Sequence, residues 1–315
     1  MAKLGNRDLA GQLKSKLGLP VVAGPMFLIS GPELVVACSR AGVVGSFPTL
    51  NARTPAILDE WLARMTAETA TAAPFAANLI VHHTNTRAED DLALVKNHRV
   101  PIVISSVGNP SGVVADVHSY GGVVLADVAS LKHARRAAEL GVDGLILLCA
   151  GAGGNTGWLN PFAFVGAVRE FFDGPVALAG AISRGRYIHV AEQMGADLAY
   201  IGTSFIAARE SMASDPYRDM LIASSADDVI LTAEVTGIPA NMLRLSLDRV
   251  GFKPGHKSEG FDLLKELETL KAWRDIWSAG HGVGDVARIE TVAELVNTMK
   301  RDYEAARLGA TTHAA

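Results

Sequence analysis

Two segments late in the chain, PVALAGAISRG at 175–185 and ADLAYIGTSF at 196–205, share one design: an apolar run, a glycine where the run stops, then residues able to start a helix. Glycine lets a backbone approach a ligand closely. The free N–H groups at a helix start attract an anion. Side by side, the two loops would hold a phosphate on Gly180, Ala181, Gly202 and Thr203, with the Thr203 and Ser204 hydroxyls as further donors. The same glycines would also serve plain tight turns, but their recurrence in consecutive units favours the phosphate. Gly24-Pro25-Met26 follows an earlier apolar run. Proline fixes the backbone and methionine offers a soft apolar surface, a ledge on which a flat ring can lie. The loop AGAGGNTG at 150–157 is glycine-rich enough to press its backbone, Gly154 included, against a ligand, and it carries Asn155. Proton transfer near neutral pH would fall to histidine. His82 and His83 follow one apolar run, with His83 expected to point away, and His281 lies in a late loop.

These residues need a frame that brings them together. Short apolar runs at 21–23, 43–47, 75–80, 102–105, 123–126, 144–149, 176–179 and 198–201 alternate with helical patterns, several of which stop at a glycine: Gly42, Gly141 and Gly195. The runs are continuous rather than alternating, as expected of strands covered on both faces. Eight β–α units in series fit a barrel or a doubly wound sheet, and eight, the closing number of the barrel, favours an α/β fold of the (β/α)₈ TIM barrel kind, with chemistry at the C-terminal ends of the strands. All the loops singled out above lie at such ends. Residues 208–277 break the rhythm and read as a helical insertion, a substrate-side cap. The expected domains are therefore a barrel of 1–207 plus 278–315 and a cap of 208–277, with a closing helix near 291–307.

The 315 residues suffice for one barrel and this insertion, and 49% hydrophobic content allows a large core. A net charge of -4 without a basic run speaks against nucleic acid as partner. No stretch has signal-peptide or membrane-spanning character, and Cys38 and Cys149 sit apart in apolar contexts. The expectation is a cytoplasmic protein with reduced thiols, no metal, no membrane, and a homodimer as one open option. No GxGxxG, P-loop, HExxH or GxSxG occurs, and no lysine or glutamate directly follows any of the eight runs. Dinucleotide-fold, ATPase, zinc-protease, serine-hydrolase and Schiff-base aldolase chemistry thus lose their usual markers.

In order and spacing, PVVAGPM, FAANLI, AGAGGNTG, PVALAGAISRG, GADLAYIGTSFIAARE and WSAGHGVG resemble the nitronate monooxygenase (2-nitropropane dioxygenase) family over about 17–304. The resemblance implies a flavoprotein with FMN. Its ring would lie near Gly24, Pro25 and Met26 and touch Asn78, its phosphate would sit on Gly180, Ala181, Gly202 and Thr203, and Ser278 would lie near the flavin edge. The implied reaction is oxidation of alkyl nitronates by O₂, a monooxygenase activity. The alternatives are an NAD(P)H-dependent FMN reductase acting on a quinone or enoyl thioester, or a barrel without catalysis.

The sequence departs from the family pattern in three places: Asn155 stands where many members carry a histidine, Asp127 where a lysine often follows the fifth strand, and His281 where a glutamine occurs. An amide can donate a hydrogen bond but cannot take a proton at neutral pH. A nitronate, already deprotonated, would then be oxidised with Asn155 orienting it and His82 or His281 assisting, while neutral nitroalkanes would react slowly.

Overall fold

The computed structural model describes residues 3–255 and 271–309. Each of the eight apolar runs is a strand: β1 (Val21–Ala23), β2 (Gly45–Pro48), β3 (Phe75–Ile80), β4 (Ile102–Ser106), β5 (Val123–Val128), β6 (Gly144–Leu148), β7 (Val176–Ala179) and β8 (Leu198–Ile201). They pair in parallel from β2 through β8 and on to β1. One bridge closes the barrel: Ala23 N–H donates to the Val44 carbonyl at 2.8 Å and Val44 N–H to that of Val21 at 3.0 Å. That use of Val44 explains why the expected strand at 43–47 begins two residues later as a ladder.

Alternation along the strands separates two cores. Val22, Ala76, Ile102, Ile104, Leu125, Ile146, Ala177 and Leu198 fill the barrel interior, joined by Leu13 from the helix Arg7–Lys14 at the end where the strands begin. Their neighbours Val21, Phe75, Ala77, Val103, Val124, Leu145, Leu178 and Ala199 face outward and pack under the helices. Both faces are therefore apolar, which is why the runs show no alternation. The last helix, Val292–Arg307, starts at a capping box of Thr291 and Glu294. It lies on the helix Gly185–Gln193 so closely that a Cβ on Gly185 would stand 1.9 Å from the Met299 carbonyl oxygen.

The stretch 208–277 read as helical is mixed where it is described, and its residues 256–270 lie outside the described residues. It holds the helix Asp215–Ala223, but also an antiparallel pair of strands, Val229–Thr232 and Ala240–Leu243. The second of these adds to Gly154–Asn155 in the loop after β6. VILT and ANML are four-residue apolar runs, too short for periodicity to tell strand from helix. No helix among the described residues is long and apolar enough to cross a membrane.

Candidate functional site

Two residues beyond the interior layer, the same inward faces reach the C-terminal rim. Asn78, Ser106, Asp127, Leu148, Ala179 and Tyr200 thereby form the floor of a cavity at that end. A hydrogen-bonded chain crosses this floor. Asn78 Nδ2 donates to Ser106 Oγ at 2.7 Å and to the Ile104 carbonyl at 3.0 Å. Ser106 Oγ donates to Asp127 Oδ2 at 2.6 Å. Burial pushes the Asp127 carboxyl up to about 6, against the bonds from Ser106 and the Val107 backbone N–H, which favour its charge. Val107 holds φ at 53°, a region that β-branched residues rarely occupy.

The opposite side is backbone. Gly180, Ala181, Gly202 and Thr203 line it. None of their amide N–H groups has an acceptor among the described residues. Ala181 sits in the left-handed region with φ 54°. Thr203 Oγ1 accepts a bond from Gly280 N–H at 2.9 Å, so this hydroxyl, expected to serve a ligand, also ties down the late loop. That loop and the loop after β6 interlock through glycine. A Cβ on Gly280 would stand 2.6 Å from the Gly151 carbonyl oxygen, and one on Gly153 2.7 Å from the Gly280 nitrogen.

Side chains outside the barrel strands fix the remaining walls. Asn51, buried, donates to the Met26 and Ser30 carbonyls at 3.0 and 2.8 Å and accepts from Leu28 N–H at 2.9 Å. It locks the turn that presents Gly24, Pro25 and Met26 to the cavity. Tyr217 Oη donates to the Ser278 carbonyl at 2.6 Å and accepts from Ser278 N–H at 3.1 Å. Its ring stacks on Trp277 at 4.8 Å. Burial pushes Tyr217 up to about 12, which keeps it a donor. Trp273 packs over Gly154: a Cβ there would meet its ring at 3.7 Å. Asn155 also lines the cavity, and its Oδ1 is buried without a hydrogen-bond partner among the described residues.

The cavity thus gathers Asn155 with Gly24, Pro25, Met26, Asn78, Gly154, Gly180, Ala181, Gly202, Thr203 and Ser278. The two histidines expected to assist lie elsewhere. His82 is absent from the lining: its Nδ1 is 2.8 Å from Thr84 Oγ1 and its ring is 4.1 Å from that of His83. His281 is exposed, with its ring against the outer side of Gly151. Two steps past β3, the chain has already turned toward the helix Ala88–Asn97, and the short turn His281–Asp285 aims its first side chain outward. Among the described lining residues, Asp127 is the one carboxylate, and lysine, arginine and histidine are missing. Tyr200, Asn51, Tyr217 and Trp273 were not foreseen as site residues, and Asp127 was noted only as a departure from the family pattern. Counting two residues on from each interior position would have found Asp127 and Tyr200. Nothing in the sequence ties Asn51, Tyr217 or Trp273 to the cavity.

Comparison with known proteins follows the same outline. The family model described as nitronate monooxygenase matches residues 83–302. A nitronate monooxygenase of Paraburkholderia phytofirmans is 26% identical over 91% of this chain and 94% of that protein. A (3aS,4S,5R,7aS)-5-hydroxy-7a-methyl-1-oxo-octahydro-1H-indene-4-carboxyl-CoA dehydrogenase of Rhodococcus jostii is 27% identical over 72% of this chain, which spans only 63% of that protein's length. A solved nitroalkane oxidase of Streptomyces ansochromogenes superposes with a TM-score of 0.81 at 25% identity, covering 94% of this chain and 99% of that one.

Proposed function

The chain belongs to the nitronate monooxygenase family and is an oxidoreductase, and from that premise we propose that it is an FMN enzyme oxidising alkyl nitronates with O₂. The observation that carries the cofactor is a pair of half-sites lining one cavity: acceptor-free backbone amides at Gly180, Ala181, Gly202 and Thr203, and beside them the Gly24–Met26 ledge, with Asn78 on the floor. The fit is of the right kind on both sides. Unpaired amides at the ends of β7 and β8 suit a phosphate, and an apolar ledge held by Asn51 suits a ring. FMN supplies the two-electron chemistry when bound.

The chain's own residues bind, orient and exclude water. Asn155, with an amide oxygen lacking a partner, is the candidate to orient the substrate. Its side chain, turned either way, offers one acceptor and one NH₂ donor. Residues 208–255 and 271–277 act as a cap over the substrate side, with Trp273 and Ile276 in the wall and Tyr217 pinning Ser278.

A second reading, an NAD(P)H-dependent flavin reductase acting on a quinone or an enoyl thioester, draws support from the missing cations in the described lining. A small anion such as a nitronate finds no countercharge there, whereas a larger neutral substrate needs none. One anaerobic experiment tests both. The purified protein is loaded with FMN, its visible spectrum recorded, and propyl-2-nitronate or NADH added in separate cuvettes. Bleaching by the nitronate alone supports the monooxygenase. Bleaching by NADH alone moves the assignment to the reductase. Failure to retain FMN sinks both.

A further inference from the structure

The one carboxylate in the described lining stands where no cation can compensate it. Asp127 meets Ser106 and, through it, Asn78 on the neighbouring strands β3 and β4, and the Val107 N–H at the end of β4. Tyr200 on β8 is the one other titratable group of the floor, and burial together with the Asp127 charge pushes its hydroxyl well up, so it stays neutral. Asp127 borders solvent only through the cavity. A flat ring that bears acceptor atoms and rests on this floor would remove the solvent that supports its charge. A buried carboxylate without a countercharge is disfavoured even when, as here, two hydrogen bonds favour its charge. A neutral carboxyl has a hydrogen-bond donor to offer those same atoms.

Resting on the FMN reading above, we propose that Asp127 faces the bound flavin ring and that cofactor uptake transfers one proton from solvent to its carboxyl. The balance is simple: flavin plus the Asp127 carboxylate plus one solvent proton give a complex with a neutral Asp127, and no covalent bond or electron moves beyond that O–H. Asp127 is thus a cofactor-positioning residue whose ionisation competes with binding.

The test is equilibrium binding. Flavin-free protein is titrated with riboflavin, which has no phosphate of its own to ionise, by fluorescence quenching from pH 5 to 8. With the empty site titrating near 6, wild-type affinity stays level below that pH and then falls by up to about tenfold per unit. Asp127→Asn binds with a flat profile. Ser106→Ala, which removes a bond favouring the carboxylate, moves the break to higher pH, so the proposal stays testable even if the Asn variant does not fold. FMN shows the same difference between wild type and variant. Equal slopes in wild type and Asp127→Asn, or a flat wild-type profile with tight binding, overturn the proposal and leave the FMN reading intact. No flavin binding at any pH overturns both.

Discussion

The two sides of the cavity are built from different materials. The side at β7 and β8 is backbone: glycines, a left-handed Ala181 and amides without acceptors, braced by the interlocked glycine loops around Gly153 and Gly280. The side at β3 to β5 is side chain: Asn78, Ser106 and Asp127 in a hydrogen-bonded row. A backbone site depends on how closely chains approach, and so is broken by added volume. A side-chain row depends on proton positions, and so is broken by changed charge. Substitutions that act sterically on one side and electrostatically on the other separate these two dependences.

The largest effect belongs to the backbone side. In Gly280→Ala, the new Cβ would meet the Gly151 carbonyl oxygen at 2.6 Å and the Gly153 nitrogen at 3.0 Å. Main chain cannot swing away as a side chain does, so the late loop must shift, at a cost of about 2–4 kcal/mol. We expect thermal unfolding several degrees lower and FMN affinity at least about tenfold weaker. A variant that melts and binds like wild type would show that the glycine contact does not brace the cradle.

How legible each side was follows from the same contrast. Glycine-punctuated loops after the last two strands are visible in one dimension, because Gly180 and Gly202 sit within their own β–α units. The barrel was equally readable: eight continuous runs became eight parallel strands. The side-chain row depends on parity across three strands. It needs the inward set Ala76, Ile104 and Leu125 before Asn78, Ser106 and Asp127 can be seen to share a face. Asn51 and Tyr217 act across 25 and 61 residues of sequence, with no motif to mark them. The strands at 229–232 and 240–243 gain their character from pairing, not propensity.

The side-chain row yields the next effect. Asp127 titrates near 6 in the folded chain against 3.8 ordinarily. The folded state therefore holds the proton more tightly, and its stability falls as pH rises from about 4 to about 6, then levels. Ionisation there costs at most about 3 kcal/mol. Asp127→Asn escapes this loss. The melting temperature of the variant relative to wild type should rise by several degrees between pH 4 and pH 7, measured without flavin. A constant difference over that range would mean the carboxyl is not disfavoured by its surroundings.

A smaller effect comes from the brace between the sides. Tyr217→Phe keeps the stack on Trp277 but removes the hydroxyl shared by the Ser278 N–H and carbonyl. Leaving two part-buried backbone groups short of a partner costs about 0.5–1.5 kcal/mol. The substrate-side wall should loosen, raising KM a few-fold while FMN affinity holds. Loss of FMN with unchanged KM would mean that Ser278, expected near the flavin edge, serves the cofactor and not the substrate wall.

The smallest effect tests the histidines. His82 is engaged with Thr84 and His83 beyond the rim, and His281 lies on the outer side of Gly151. If the reaction is carried out within the cavity, neither contributes a proton or a contact to it. His82→Ala and His281→Ala should each leave kcat/KM for the nitronate within about threefold of wild type, less than about 0.7 kcal/mol in the transition state. The His281 variant is the sharper of the two. Its backbone N–H still donates to the Gly151 carbonyl at 2.9 Å, so the glycine interlock survives and only the ring is lost. A fall of a hundredfold in that variant alone, with FMN content unchanged, would mean that the late loop turns its imidazole inward once substrate is bound, and that the backbone side of the cavity carries acid–base chemistry after all.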